Sequence, residues 1–134
     1  MKITDVNELE KIAKNVRVGI IESTYNAKSG HPGGSLSIAD IITVLYFNQM
    51  NVDPKNPKAV SRDRLVLSKG HVAPALYSVL AEKGYFAKEE LKNLRKLSGM
   101  LQGHPDMRKV PGVDMSTGSL RTRFIYCKWY GNCI

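Results

Sequence analysis

Each of the three histidines in this 134-residue chain directly follows a glycine in a stretch rich in turn-forming residues. They are His31, His71 and His104, and none lies on an apolar helical pattern. Glycine allows the backbone to approach a ligand closely, and imidazole can hold a phosphate or hydroxyl group and exchange protons near neutral pH. One such histidine alone would be interpreted as a surface or capping residue. Because all three share the arrangement, the sequence favours a ligand site built from loops.

A zinc site is the other function that histidines suggest, and their spacing argues against it. No pair of His or Cys residues lies three or four positions apart in the body of the chain. Both cysteines, Cys127 and Cys133, lie near the end of the sequence without a histidine beside them. They form neither a disulfide framework nor a metal site, and we predict that they are unpaired.

A long helix and a turn are predicted to position the first histidine. Asp5, with Glu8 three residues later, is typical of a helix start. Apolar residues then recur at helical spacing, which predicts a helix from about Val6 to Ala27. The stretch Ser-Gly-His-Pro-Gly-Gly at 29–34 predicts a turn, since proline and adjacent glycines are costly inside a helix.

The second histidine is predicted to lie between a strand and a helix. Before it, Ser37 begins a buried helix over 38–50, and a loop with two Asx-Pro pairs follows over 51–59. The apolar run at 64–68 is interpreted as a buried strand. A helix is predicted over 73–83, which Gly84 ends. Ligands of open α/β sheets bind at such strand–helix junctions, where N–H groups at the helix start suit a phosphate.

The third histidine falls in a long loop. A helical pattern over 87–97 precedes it, and the stretch 98–118 is rich in glycine and proline without a clear period. A loop of that length in a compact domain is usually functional.

The net charge of +8 invites a nucleic-acid interpretation, and the distribution of the charges argues against it. Basic residues are spread along the chain beside acidic ones, and Lys88, Lys92 and Arg95 are predicted to belong to a solvated face beside Glu89. The start of the chain does not resemble a signal peptide, and the longest apolar run, 38–47, is too short to span a bilayer. We therefore predict a cytoplasmic protein that binds neither nucleic acid nor membrane.

Four motifs together resemble the transketolase family. They are Ser-Gly-His-Pro-Gly-Gly-Ser-Leu-Ser at 29–37, Asp-Arg-Leu-Val-Leu-Ser-Lys-Gly-His at 63–71, Gly-His-Pro-Asp at 103–106 and Ser-Thr-Gly-Ser-Leu at 116–120. They occur in the family's order, and the resemblance covers residues 1–120. It is greatest to the split form, in which separate polypeptides supply the two halves of the enzyme.

The resemblance implies an α/β fold, namely an incomplete thiamine-diphosphate-binding domain with a doubly wound parallel sheet. This chain would supply its helix-rich front part. By the same resemblance, His31 and His104 would contact the sugar substrate and assist proton transfer, and His71 would lie beside the cofactor diphosphate. Gly118 and Leu120 would contact the thiamine end of the cofactor.

The resemblance also implies cofactors and partners. The cofactors would be thiamine diphosphate and Mg²⁺, although the family's metal-binding Gly-Asp-Gly segment does not occur in this sequence. Sugar phosphates would be the substrates, a carboxy-terminal transketolase half the partner, and a dimer of the assembled halves the complete enzyme. We expect the isolated chain to be inactive.

Residues 121–134 depart from the family, which continues with Gly-Gln-Gly and a helix of small residues. This tail contains both cysteines and the only tryptophan, and it lacks acidic residues. Permitted codons exist for which removal of one base gives Gly-Gln-Gly-Leu-Ser-Ile-Ala. We interpret 121–134 as a non-native, frameshifted tail; a genuine aromatic interaction segment is the alternative.

Three other functions remain open at this level. The first is a related thiamine-diphosphate enzyme of the deoxyxylulose-phosphate synthase type. The second is a non-catalytic docking subunit or pseudogene product, and the third is a basic nucleic-acid-binding module.

Overall fold

A computed structural model describes residues 2–118 of the chain, and its first element is a long amphipathic helix, α1, at Val6–Ala27. The Asp5 carboxylate caps it by accepting a hydrogen bond from the Asn7 N–H at 3.0 Å. The helix ends at Lys28, whose φ of 48° is left-handed. These caps confirm the bounds that the sequence predicts. The inner face packs on the rest of the molecule through Ala13, Val16, Gly19, Ile20 and Ser23.

The stretch predicted to be a turn contains a short helix, α2, at Pro32–Leu36. The expectation that 29–34 lacks helix was therefore wrong for its second half. Pro32 opens α2, where its missing N–H costs nothing because the first N–H groups of a helix have no partner within it. His31 precedes α2 and its side chain makes no capping hydrogen bond.

The next helix, α3, at Ala39–Val44, continues as a single π-helical segment at Leu45–Gln49. The predicted extent, 38–50, is close to the observed one. Ser37 does not cap it, which corrects the predicted start. The Ser37 hydroxyl instead donates to the Gly34 carbonyl at 2.8 Å and so closes α2.

No strand forms among residues 2–118, so the predicted strand at 64–68 is wrong for this part of the molecule. Pairing requires N–H and C=O groups from a second strand. In this segment the Leu65 N–H donates to the Asp114 carboxylate at 2.7 Å instead. Asp114 also forms a buried ion pair with Arg62, which fastens this segment to the end of the long loop.

The most deeply buried helix, α4, at Ala73–Lys83, follows a 3₁₀ turn at Gly70–Val72. Gly84, with a φ of 93°, ends it as predicted. Residues 73–81 are all buried, and α4 packs against α1, α2 and α3. The core around α4 includes the largest fully buried side chains, among them Tyr46, Tyr77, Ile20, Ile42, Leu80 and Leu101.

The helix predicted over 87–97 is observed only as a 3₁₀ segment at Lys88–Asn93. Leu91 is the buried residue of this segment, and buried Leu94 directly follows the segment. Arg95 then reverses the chain with a φ of 62°. The stretch 98–118 contains neither helix nor strand, as predicted. Among residues 2–118, no helix combines the length and apolar character required to cross a membrane.

Candidate functional site

Two of the three histidines are in ring contact. His71 lies in the 3₁₀ turn before α4, and His104 lies in the long loop. Their ring centroids are 5.1 Å apart with an interplanar angle of 70°. The sequence predicts separate loops for these residues, and the fold brings the loops together.

Gly70 explains how the two loops approach so closely. A Cβ atom at this position would lie 2.3 Å from Thr117 Oγ1 and 2.9 Å from His104 Nδ1. Those two atoms are themselves 3.2 Å apart, within hydrogen-bond distance. The Thr117 N–H donates to the Pro105 carbonyl at 2.9 Å, which holds the end of the loop beside His104. Three of the four motifs therefore meet at Gly70.

The first histidine lines a cavity beside this contact. His31 is exposed, and it borders a cavity of about 210 Å³ together with His71. Gly103, the neighbour of His104, also lines the cavity. The other lining residues are Ser29, Gly30, Pro74, Leu94 and Arg95. All three predicted histidines thus lie on or directly beside one cavity.

The remaining predicted site residues lie at the edge of the described structure. Gly118 is its last residue and is exposed, directly after Thr117. Leu120 and the tail 121–134 lie outside the described residues. A larger open groove of about 550 Å³ between 57–64 and 107–114 contains none of the predicted site residues.

Lys69 is a neighbour of the site that sequence reasoning missed. Its ammonium group donates to the Gly34 carbonyl and to the Ser37 hydroxyl, each at 3.3 Å. This links the second motif to the first. No side chain caps the start of α4, and Lys69 and His71 lie just before it, so a cation and a helix N-terminus lie close together in sequence.

Hydrogen bonds under the loop hold the third motif in place. The Tyr77 hydroxyl donates to the Gln102 carbonyl at 2.8 Å, and burial in α4 raises the pKa of this phenol. Asp106 accepts from the Arg108 N–H at 2.9 Å, which lowers the pKa of its carboxyl group. The Ser116 hydroxyl also donates to Asp106, at 3.2 Å. The turn that carries His104 is therefore bonded to α4 and to the fourth motif.

Arg95 is a second residue that the sequence did not identify as part of the site. The prediction placed it on a solvated charged face, and it is indeed exposed. Its guanidinium nevertheless donates from Nη1 to Ser29 Oγ at 2.6 Å, and the residue lines the histidine cavity. No periodic pattern could have revealed this contact, because it depends on the backbone reversal at Arg95.

Comparisons with known proteins agree with the motifs. A family model described as "Transketolase, thiamine diphosphate binding domain" matches residues 9–123. The chain belongs to this transketolase family.

Two similar proteins are named as subunits. The 6-deoxy-6-sulfo-D-fructose transketolase subunit SqwG of Clostridium sp. (strain MSTE9) is 49% identical over 117 residues, which is 87% of this chain and 42% of that protein. An apulose-4-phosphate transketolase subunit from Phocaeicola vulgatus is 43% identical over 115 residues, which is 86% of this chain and 41% of that protein.

Solved structures show the same fold. Transketolase from Pichia stipitis, in complex with sedoheptulose 7-phosphate, superposes with a TM-score of 0.80 at 38% identity. The match covers 84% of this chain and 17% of that one. The described helices are thus the front part of a thiamine-diphosphate-binding domain, and the chain spans less than half the length of each of these three relatives.

Proposed function

We propose that this chain is the amino-terminal section of a cytoplasmic transketolase, which transfers two-carbon ketol units from a ketose phosphate to an aldose phosphate. The observation that carries the proposal is that His31 and His71 line one cavity and that His104 is in ring contact with His71. Proton-exchanging groups placed around one space are what a reaction at sugar oxygens requires. Family membership indicates the class of reaction, and the cavity is the proposed place where the sugar binds.

The proposed role of His71 is to hold the diphosphate end of thiamine diphosphate. Lys69, two residues before His71, and the start of α4, two residues after it, support this role because a cation and a helix N-terminus both favour an anion. Gly118 and Leu120 are proposed to contact the thiamine end. When bound, thiamine diphosphate supplies the carbon nucleophile and electron sink of the reaction, and the protein orients it.

The proposed role of His31 and His104 is to bind and orient the sugar. Both would hydrogen-bond the oxygens whose charge changes during transfer, and both would move protons at those oxygens. A hydrogen bond between His104 Nδ1 and Thr117 Oγ1, which lie 3.2 Å apart, would fix the orientation of the His104 ring. His31 stands at the exposed mouth of the cavity, where an incoming sugar would meet it.

A Mg²⁺ ion is part of the proposal as the partner of the cofactor diphosphate. Among residues 2–118, no group of three His, Cys, Asp or Glu residues could hold a metal ion. We propose that its protein ligands lie outside the described residues, because the family's metal-binding Gly-Asp-Gly segment does not occur in this sequence. We assign no residue of the described part to it.

We further propose that a carboxy-terminal half completes the enzyme and that the assembled halves form a dimer. The two relatives described as subunits of transketolases support this arrangement. The tight packing of the described part into one small helical unit around α4 is compatible with a piece that docks onto a larger assembly.

The test is ketol transfer by the amino-terminal half read through the restored frame after Leu120, mixed with a carboxy-terminal transketolase half, thiamine diphosphate and Mg²⁺. We expect transfer between sugar phosphates, and we expect His31→Ala and His104→Ala each to lower kcat/KM by about 10²–10⁴-fold. Lys92→Ala, an exposed change away from the cavity, is the control.

A substrate panel separates the competing functions in the same assay. Activity confined to the reaction of a deoxyxylulose-phosphate synthase would replace the proposed reaction with that one. Stable co-purification of the halves without any transfer would establish the docking function instead.

A further inference from the structure

We propose that Arg95 is a positioning residue that fixes the His31 turn by joining it to the His104 turn. The inference rests on the proposed function, in which both histidines bind the sugar. Arg95 itself is assigned no contact with sugar or cofactor.

The backbone of Arg95 is held in an unfavourable conformation by the core on both sides. Its φ of 62° is left-handed, a region in which a side chain with a Cβ is strained. Leu94, directly before it, is buried, and the Arg95 N–H donates to the carbonyl of buried Leu101 at 2.8 Å. Glycine would meet these backbone demands at lower cost. The presence of an arginine at this position is therefore explained by the contacts of its side chain, not by its backbone conformation.

The side chain bridges two turns. Its Nη1 donates to Ser29 Oγ at 2.6 Å, across 66 positions of sequence. On the other side, a Cβ at Gly103 would lie 3.0 Å from Arg95 Nε and 3.4 Å from Arg95 Cζ. The guanidinium therefore fits against the bare backbone of Gly103 while it holds Ser29. Ser29 lies two residues before His31, and Gly103 directly precedes His104.

The His31 turn has few other restraints among the described residues. Gly30 has a φ of 126°, a conformation that only glycine adopts readily, and a Cβ atom added there would have just Thr24 within 4 Å. His31 is exposed and makes no capping bond to the five-residue helix α2. The hydrogen bond from Arg95 to Ser29 therefore joins the start of this turn to the rest of the cavity wall.

The test compares three variants of the full chain by backbone ¹⁵N relaxation. Arg95→Gly removes the side chain and suits the left-handed backbone, whereas Ser29→Ala removes only the acceptor. We expect both to lower the order parameters of the Gly30 and His31 N–H groups from about 0.85 towards about 0.6, without lowering the temperature of unfolding. Arg95→Lys should restore part of the order because it keeps one donor. Lys92→Ala is the matched control.

Two results would overturn the inference. One is an unchanged order parameter at Gly30 and His31 in both Arg95→Gly and Ser29→Ala. The other is a lower unfolding temperature with loosening throughout the chain in Arg95→Gly, which would assign Arg95 a general structural role.

A second readout connects the turn to the reaction. In the assembled enzyme, Arg95→Gly should lower kcat/KM for the ketose phosphate by about tenfold or more, with thiamine diphosphate affinity unchanged. Failure of the assembled wild-type enzyme to transfer ketol units would refute the proposed function, while the relaxation measurements would still decide the role of Arg95.

Discussion

At the scale of single residues, the histidine contact depends on the absence of one side chain. Gly70 lets the turn before α4 lie against Thr117 and His104, and any larger residue would occupy the space that these two residues already fill. At this position a glycine precedes the histidine because a Cβ atom would overlap Thr117 and His104.

Gly70→Ala is predicted to separate the His71 and His104 rings. The added Cβ would lie 2.3 Å from Thr117 Oγ1 and 2.8 Å from Thr117 Cβ, so the loop must shift. We expect a loss of about 1–3 kcal/mol in the free energy of unfolding. Urea denaturation measures this, and histidine ring resonances report the separation.

Gly33→Ala is the matched control for this change. Among the described residues, nothing lies within 4 Å of the position that its Cβ would take, and the residue is inside α2. Alanine there should be neutral or slightly stabilising. Equal effects of the two substitutions would contradict the steric account.

The sequence identified the three histidines because their type and their glycine neighbours are visible in it. It could not identify Arg95 or Lys69, whose contacts join residues far apart in the chain. In the sequence, a lysine or arginine in a charged segment looks the same whether its side chain is solvated or hydrogen-bonded to a distant residue. The roles of the histidines remain predictions; the observations are that His31 and His71 line one cavity and that the His104 ring contacts His71.

At the scale of elements, local signals predicted the ends of α1 and α4, but they missed α2 and wrongly predicted a strand. The bounds of α1 and α4 follow from Asp5 and Gly84, whose caps act within a few residues. The apolar run at 64–68 predicted a buried strand, but residues 65–67 are only half-buried, and the run finds no strand partner among residues 2–118. The 87–97 pattern forms only a 3₁₀ segment at Lys88–Asn93, and the left-handed Arg95 ends any helix before 97.

Asp114→Ala is predicted to detach the 64–68 segment from the long loop. The carboxylate is 2% exposed, pairs with Arg62, and accepts from the Leu65 N–H. Removing it leaves a largely buried guanidinium and a backbone donor without this acceptor. We expect a loss of about 3 kcal/mol in the free energy of unfolding, measured by urea denaturation.

The exposed ion pair between Arg17 and Asp40 provides the control. Its side chains are 41% and 68% exposed, so Asp40→Ala should cost less than about 1 kcal/mol. Similar losses in the free energy of unfolding for Asp114→Ala and Asp40→Ala would show that burial does not determine the strength of the Asp114 contact.

At the scale of the whole molecule, the described helices form the front of a thiamine-diphosphate-binding domain. The motifs predicted this family because their order and separation are specific in combination. The motifs could not predict whether residues 2–118 contain strands, because a strand needs a pairing partner that can lie elsewhere in the domain.

We propose that residues 1–120 are the native amino-terminal part and that residues 121–134 arise from a frameshift. Their shift in composition and the available codons support the proposal. Sequencing the genomic DNA across the Leu120–Arg121 junction tests it. A frame that resumes with Gly-Gln-Gly is the expected result, and confirmed codons for the tail that do not yield it would end the frameshift hypothesis.

The measurement that tests the central claim most directly is a titration with thiamine diphosphate of the frame-restored amino-terminal half, assembled with a carboxy-terminal half in the presence of Mg²⁺ and followed through the histidine ring resonances. We predict that thiamine diphosphate shifts the His71 signals in a saturable way, and that thiamine without its diphosphate does so far more weakly. His71→Ala should abolish the response of the neighbouring His104. Saturable binding that leaves His71 and His104 undisturbed, or no response to thiamine diphosphate at all, would contradict the account.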